Sequence, residues 1–476
     1  SLVGSEMCIR DRLRIEEKDE EAWGLSRGML HLTLLLLGLS SLVIIVFAPW
    51  LMQLLTPGFS PEKQALTVEM TRIMLLSPIF LGMSAVFGGV LISLKRFFLY
   101  SLAPIFYNLG IIFGVLVLAP RMGSQGLAWG VVVGAFLHVL IQYSDLKHVG
   151  FRYRFSFDEL WRNPLVARVT RMMIPRSIGM AVNQFGLFVV TVFASTLASG
   201  SLAAFTLANN IQSVPLGLFG VAFSLAVFPS LSTLTAKQAY GDFFHLFART
   251  FQRILFFVLP MGVFIFILRA QIVRVILGSG KFDWQDTITT FSVLGILSIS
   301  LFAQSLIQLL ARAFFALKDT HSPLYAALAA EVVHVVLTFA WVKSFGIEGV
   351  AWAFSVATIL NLVLLYLMLR SRMREEWSDQ TLLIPAFKIV LAAITAGVVA
   401  QFTKSLFGFH EARLDTFLEI FTQFSVTAVV GGGVFAWLGW MMNIEELEHL
   451  RCFLIKRIVG QPQTLVEAEK ETESGV

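Results

Sequence analysis

The chain has 476 residues, of which 57% are hydrophobic and 14% charged, with a net charge of +5. Soluble domains run about 45–50% apolar and about 25% charged, so this composition excludes an ordinary soluble enzyme. Its two cysteines, Cys8 and Cys452, lie near opposite ends, which excludes a disulfide framework and a Cys/His metal spacing.

In chain order, residues 1–12 read as a non-native leader, Ser1-Leu-Val-Gly-Ser-Glu-Met-Cys-Ile-Arg-Asp-Arg12, resembling translated adapter sequence. Twelve apolar runs follow, at 29–53, 72–94, 101–119, 126–144, 174–197, 205–232, 251–277, 287–311, 323–343, 348–370, 383–407 and 417–441. Each is long enough to cross ~30 Å of hydrocarbon. The prediction is an all-α polytopic membrane protein lying in a phospholipid bilayer. The lysines and arginines crowd into alternate connections, most densely at 145–173 with Lys147, Arg152, Arg154, Arg162, Arg168 and Arg171. The positive-inside rule puts these connections, and with them both termini, in the cytoplasm. The basic balance is therefore topological, and no nucleic-acid partner is expected.

The chain repeats itself at an offset of 223 residues over about 30–150. Phe59 falls on Phe282, Lys95 on Lys318, and Gly126-Leu-Ala-Trp129 on Gly349-Val-Ala-Trp352. Two copies of one helical bundle point to a transporter working by alternating access. The second copy carries two extra leading segments, 174–197 and 205–232, that the first lacks. The expectation is a first lobe short of two helices, with roughly 60 residues of native chain upstream. The organisation is then 13–150 as an incomplete lobe of four helices, 151–173 as a basic linker and 174–375 as a lobe of six. Two further helices at 376–445 and a cytoplasmic tail at 446–476 complete the chain.

Polar groups inside apolar segments each need a reason, because a mid-membrane charge costs about 2.5–3.5 kcal/mol on the insertion scale. Asn209, Asn210, Gln212 and Ser213 precede Pro215, Gly217 and Gly220 in one segment. This pattern reads as a substrate-facing surface with a helix break at Pro215 and Gly217; the alternative is a helix–helix contact. Asn183 and Gln184, in the preceding segment, fit the same surface. Gln304, Gln308 and Arg312 recur every four residues along one face. Arg312 suits an anionic head group or a snorkelling role at the interface. Glu331 and His334, three apart, form a candidate for coupling to a cation or proton gradient, or a satisfied interhelical pair. His138 and Asn361 share a repeat position and read as helix-contact residues. No P-loop, GxGxxG, HExxH or GxSxG motif is present. The Asp and Glu residues are scattered through connections, which argues against a membrane-embedded transferase.

Five motifs in order resemble one family. They are Thr56-Pro-Gly-Phe59, Ala103-Pro-Ile-Phe-Tyr-Asn108, Pro215-Leu-Gly-Leu-Phe-Gly220 running to Pro229-Ser-Leu-Ser232, Gly280-Lys-Phe282 and Ala311-Arg-Ala-Phe-Phe-Ala-Leu-Lys-Asp319. Together they resemble the MurJ (MviN) lipid II flippases of the multidrug/oligosaccharidyl-lipid/polysaccharide exporter superfamily. The resemblance implies fourteen helices, of which twelve are present here, in two parallel pseudo-symmetric lobes plus a C-terminal pair forming a lipid-tail groove. It implies a non-enzymatic flippase in the bacterial inner membrane, moving undecaprenyl-pyrophosphate-linked peptidoglycan precursor outward. No cofactor is expected; coupling to membrane potential or a cation gradient is the option that Glu331 and His334 raise, and the cell-wall synthesis machinery is a candidate partner. The chain also departs from the family. The family's essential arginines on its first two helices have no counterpart, and a charged triplet before Pro-x-Gly reads Asn209-Asn210 and Ser213. The alternative functions are an O-antigen-type polyprenyl-linked glycan flippase and a multidrug/cation antiporter.

Overall fold

The computed structural model describes residues 19–94, 96–149, 151, 164–278, 282–406 and 417–447. The leader, most of the expected linker and the tail from 448 lie outside the described residues. Two compact units divide at Thr196 and Leu197.

The first unit contains α1 (Asp19–Leu55), α2 (Pro61–Met74), α3 (Leu76–Ser93) and α4 (Phe97–Phe113). α4 runs through a π-helical turn, Gly114–Leu118, into α5 (Ala119–Met122); α6 (Ser124–His148) and α7 (Pro164–Ser195) complete the unit. Ser60 starts α2 by accepting the Lys63 amide on its hydroxyl, with Pro61 pre-set at the first helical position. The core gathers Leu25, Met29, Leu30, Phe87, Leu91 and Leu146. Glycines spaced by four, Gly110 on α4 and Gly114 at the start of the π-helical turn, and Gly126, Gly130 and Gly134 on α6, form facing stripes. A Cβ on Gly110 would overlap Gly134 Cα, and one on Gly114 would overlap Gly130 Cα. In lipid, such backbone-to-backbone approach replaces the missing hydrophobic drive between helices.

The second unit contains α8 (Ser201–Pro215), a π-helical turn (Leu216–Val221), α9 (Ala222–Ala236), α10 (Tyr240–Leu277) and α11 (Trp284–Ile299). It continues with α12 (Leu301–Ala316), α13 (His321–Arg372), α14 (Asp379–Leu406) and α15 (Phe417–Met441). α10 is the central helix, packing on α9, α11, α12, α14 and α15. It supplies Phe243, Phe244, Phe247, Phe251 and Phe256 to a core closed by Leu309, Phe314, Leu369 and Ile389.

Among the described residues nine helices are long and apolar enough to span a membrane, ten with the α11–α12 pair bent by 45°. That pair carries the single run expected at 287–311. α13, 52 residues long, carries two expected runs. A straight helix of that length would extend ~78 Å, more than twice the hydrocarbon core. Its backbone leaves helical geometry at Gly346 (φ 57°, ψ −134°), a left-handed-side conformation open to glycine. The run expected at 174–197 lies in α7, whose described apolar stretch, Gln184–Ser195, is shorter than a span. The units also divide one helix later than the boundary expected at 151–173. α7 packs on α1, and the Gly58 amide donates to Ser195 Oγ at 3.4 Å.

Candidate functional site

The amide-rich segment of α8 presents two faces. Gln212 is 1% exposed. Its amide donates to Asn209 Oδ1 at 3.0 Å, and its carbonyl accepts from Gln304 on α12 at 3.4 Å. Gln304 also donates to Ser300 Oγ at 3.2 Å, Ser300 donates to Ser355 Oγ at 3.2 Å, and Ser355 donates to the Ile296 carbonyl. The result is a polar chain stitching α8, the α11–α12 bend and α13. Asn210 and Ser213 instead lie exposed on the opposite face; the Ser213 hydroxyl turns back to the Asn210 carbonyl at 2.7 Å. The four residues that the sequence groups together thus divide between the two readings, a helix–helix contact and an exposed surface. Gln212 is interhelical glue, Asn209 bridges, and Asn210 and Ser213 face outward.

Where the sequence suggests a helix break at Pro215 and Gly217, the structure has a π-helical turn. Pro215 keeps helical angles (φ −63°, ψ −33°), and the chain widens into the Leu216–Val221 π-helical turn before continuing as α9. The turn absorbs the lost Pro215 donor without interrupting the helix. Gly220 packs there against Ser305 of α12, with a Cβ position 2.9 Å from Ser305 Cα.

Gln308 and Arg312 share one face of α12 as the four-residue spacing requires, and the Arg312 guanidinium donates to the Gln308 carbonyl at 3.2 Å. Both are partly buried. Glu331 and His334 on α13 do meet, with Oε1 and Nδ1 at 3.0 Å. His334 is 1% exposed and Glu331 20%. His334 Nε2, and Thr338 Oγ1 one turn further along, are buried without a hydrogen-bond partner. His138 is a helix-contact residue, bonded through Nδ1 to Ser84 at 2.6 Å. Gln184 is exposed on α7 in the first unit, and the Asn183 side chain lies outside the described residues. Among the described residues no group of three His, Cys, Asp or Glu side chains could hold a metal ion.

Sequence reasoning missed Ser300 and Ser355. They are small hydroxyls in apolar runs, and only the fold brings them to Gln304. The readable signal was the spacing of four between Ser300, Gln304 and Gln308.

Comparison with known proteins places this geometry in a family. The sequence pattern of the family described as "Lipid II flippase MurJ" matches residues 11–417. A probable lipid II flippase MurJ from Bdellovibrio bacteriovorus is 30% identical over 439 residues, covering 91% of this chain and 82% of that one. A Thermotoga maritima protein named likewise is 29% identical over 440 residues, covering 92% and 84%. The solved structure of a lipid II flippase MurJ in an inward closed conformation has a TM-score of 0.73 at 20% identity, covering 94% and 90%. An inward-facing multidrug MATE transporter of the MOP superfamily shares the fold at a TM-score of 0.66 and 16% identity, covering 79% and 86%. The chain is thus a multi-pass membrane protein of the transporter type, not an enzyme, and it belongs to the lipid II flippase MurJ family.

Proposed function

We propose that this chain moves lipid II from the inner to the outer leaflet of the bacterial inner membrane by alternating access. The observation that carries the reading is the family match over residues 11–417. A sugar–peptide–pyrophosphate head group cannot cross hydrocarbon unaided, because its polar groups would go unpaired at several kcal/mol each. Within the second unit, Asn209, Asn210, Ser213, Gln308 and Arg312 supply amides, a hydroxyl and a cation that replace water. α14 and α15 keep outward apolar faces, with Phe387 67%, Val398 64%, Phe402 65% and Val429 75% exposed, which suits a polyprenyl tail that stays in lipid. Glu331 and His334 couple transport to a proton or cation gradient, with the unpartnered Nε2 of His334 as the exchange position. Both termini face the cytoplasm, where the cell-wall synthesis machinery makes the substrate.

The test is complementation of a conditional lipid II flippase mutant with the full-length gene product. Growth and peptidoglycan synthesis are expected. Failure by a protein shown to be inserted and stable would contradict the reading and favour another polyprenyl-linked glycan.

A further inference from the structure

We infer that the connection between α13 and α14 holds a binding site for the phosphate of an anionic membrane lipid. A cavity of about 390 Å³ opens there, lined by Leu367, Arg370, Ser371, Arg374, Trp377 and Asp379. It lies where one spanning helix ends and the next begins, hence at a bilayer surface. α14 packs on α10 and α15, whereas α13 packs on α8, α11 and α12. The two helices joined by this connection therefore lean on different neighbours and leave a notch between their ends.

The walls are built rather than loose. Asp379 Oδ1 accepts from Tyr366 Oη at 2.8 Å and from Trp377 Nε1 at 2.9 Å, while Oδ2 pairs with Arg370. Trp377 packs against Phe244, Phe247 and Tyr366 at centroid distances of 5.0, 6.0 and 5.4 Å. Asp379 thus orients two lining side chains, Trp377 and Arg370, together with Tyr366 behind them, and neutralises Arg370. Nearby Arg372 is committed to Asp319 at 2.6 Å. The Glu376 carboxylate turns towards Gly241, with Oε2 3.2 Å from the Cβ position there. Arg374 is left as the uncompensated charge of the lining. The positive charge and the Ser371 hydroxyl suit a phosphodiester, and Trp377 is the aromatic that favours head-group depth.

The apolar half of a lipid also has a path. Leu367 lines the cavity and is 49% exposed, and Val363, one turn deeper on the same face of α13, is 44% exposed. An acyl chain lying along these residues would leave the head group at Arg374. A free phosphate ion would use only the polar half. The inference stands apart from the transport reading, since none of these residues belongs to the surface assigned to lipid II.

The test is native mass spectrometry of the purified chain titrated with phosphatidylglycerol or phosphatidylcholine, for the wild type, R374Q and R374K. One basic residue near anionic lipid is worth about 1 kcal/mol, or about fivefold. R374Q should retain phosphatidylglycerol about fivefold more weakly, with phosphatidylcholine unchanged and R374K close to wild type. Brominated phosphatidylglycerol should quench wild-type tryptophan fluorescence more than that of W377F, which locates the lipid. Equal phosphatidylglycerol retention by R374Q, no quenching difference, or displacement by inorganic phosphate would each overturn the lipid assignment.

Discussion

Arg372 donates to Asp319 Oδ2 at 2.6 Å, and Asp319 stands 223 residues after Arg96, which donates to Asp145 at 2.8 Å. The same position in the two repeats therefore anchors an ion pair of opposite polarity. The partners Asp145 and Arg372 stand one helical turn apart in the repeat register, so each unit makes its own ion pair.

Asp319 carries the first prediction. It lies just before α13, where its carboxylate accepts the His321 and Ser322 amides at 3.0 Å each and the Ser322 hydroxyl at 2.7 Å. Burial alone would raise its pKa, but Ser322, Arg372 and His321 outweigh burial and hold it below 3.8. A depressed folded value stabilises the fold fully above pH 3.8, and that contribution is lost as pH falls through the folded value. Asp319→Asn keeps an amide acceptor but loses the charge facing Arg372, and should lower stability at neutral pH by about 1 kcal/mol, the difference between charge-assisted and neutral hydrogen bonds. Thermal unfolding against pH in detergent checks this. The wild type should lose its advantage over the variant in acid, and parallel curves would contradict the assignment.

The facing glycine stripes carry the second. Gly134→Ala would drive a methyl into the Tyr107 carbonyl, an overpacking of about 1–3 kcal/mol. Gly432→Ala, with nothing within 4 Å of its Cβ position, should be neutral. Unfolding midpoints of the two variants decide between contact and mere composition, and equal midpoints would remove the stripes from the account.

Gln212 and Asn210, two residues apart, should behave differently. Gln212→Ala leaves Gln304 and Asn209 without their shared partner, a loss of about 1–3 kcal/mol in stability. Asn210→Ala touches an exposed side chain and should leave the melting temperature unchanged while slowing lipid II transport. Measuring stability and transport on both variants separates the roles. Normal transport by Asn210→Ala would remove that residue from the substrate surface.

Glu331→Gln tests gradient coupling. The amide keeps the size of the side chain but cannot exchange a proton or balance a cation. Transport should lose its dependence on pH or on the cation gradient, and an unchanged dependence would leave Glu331 and His334 as a packing pair.

The fold was legible where apolar length alone decides. Runs at 251–277 and 417–441 lie within single helices, α10 and α15, and the described part of the run at 383–407 lies within α14. Bends were not legible. Ser300 turns the chain by 45° without a proline or glycine, whereas Pro49, Pro104, Pro215, Pro229, Pro260 and Pro385 all sit inside helices. In a membrane protein the neighbours re-satisfy the freed carbonyl, so proline predicts breaks poorly. The candidate site was legible as a set of residue types but not as a surface. Asn210 and Gln212 differ by about 200° around a helix of 3.6 residues per turn. The sequence offered no second signal for which of them faces a neighbour. Glu331 and His334 were readable as a pair because a spacing of three puts both on one face.

Lipid II translocation itself is the most direct measurement. The full-length gene product, reconstituted into liposomes carrying fluorescent lipid II, should move it between leaflets, read as loss of protection from an impermeant quencher. It should leave fluorescent phosphatidylglycerol in place, and Asn210→Ala should be slower. Lipid II that stays protected in vesicles where another polyprenyl-linked glycan moves would contradict the account.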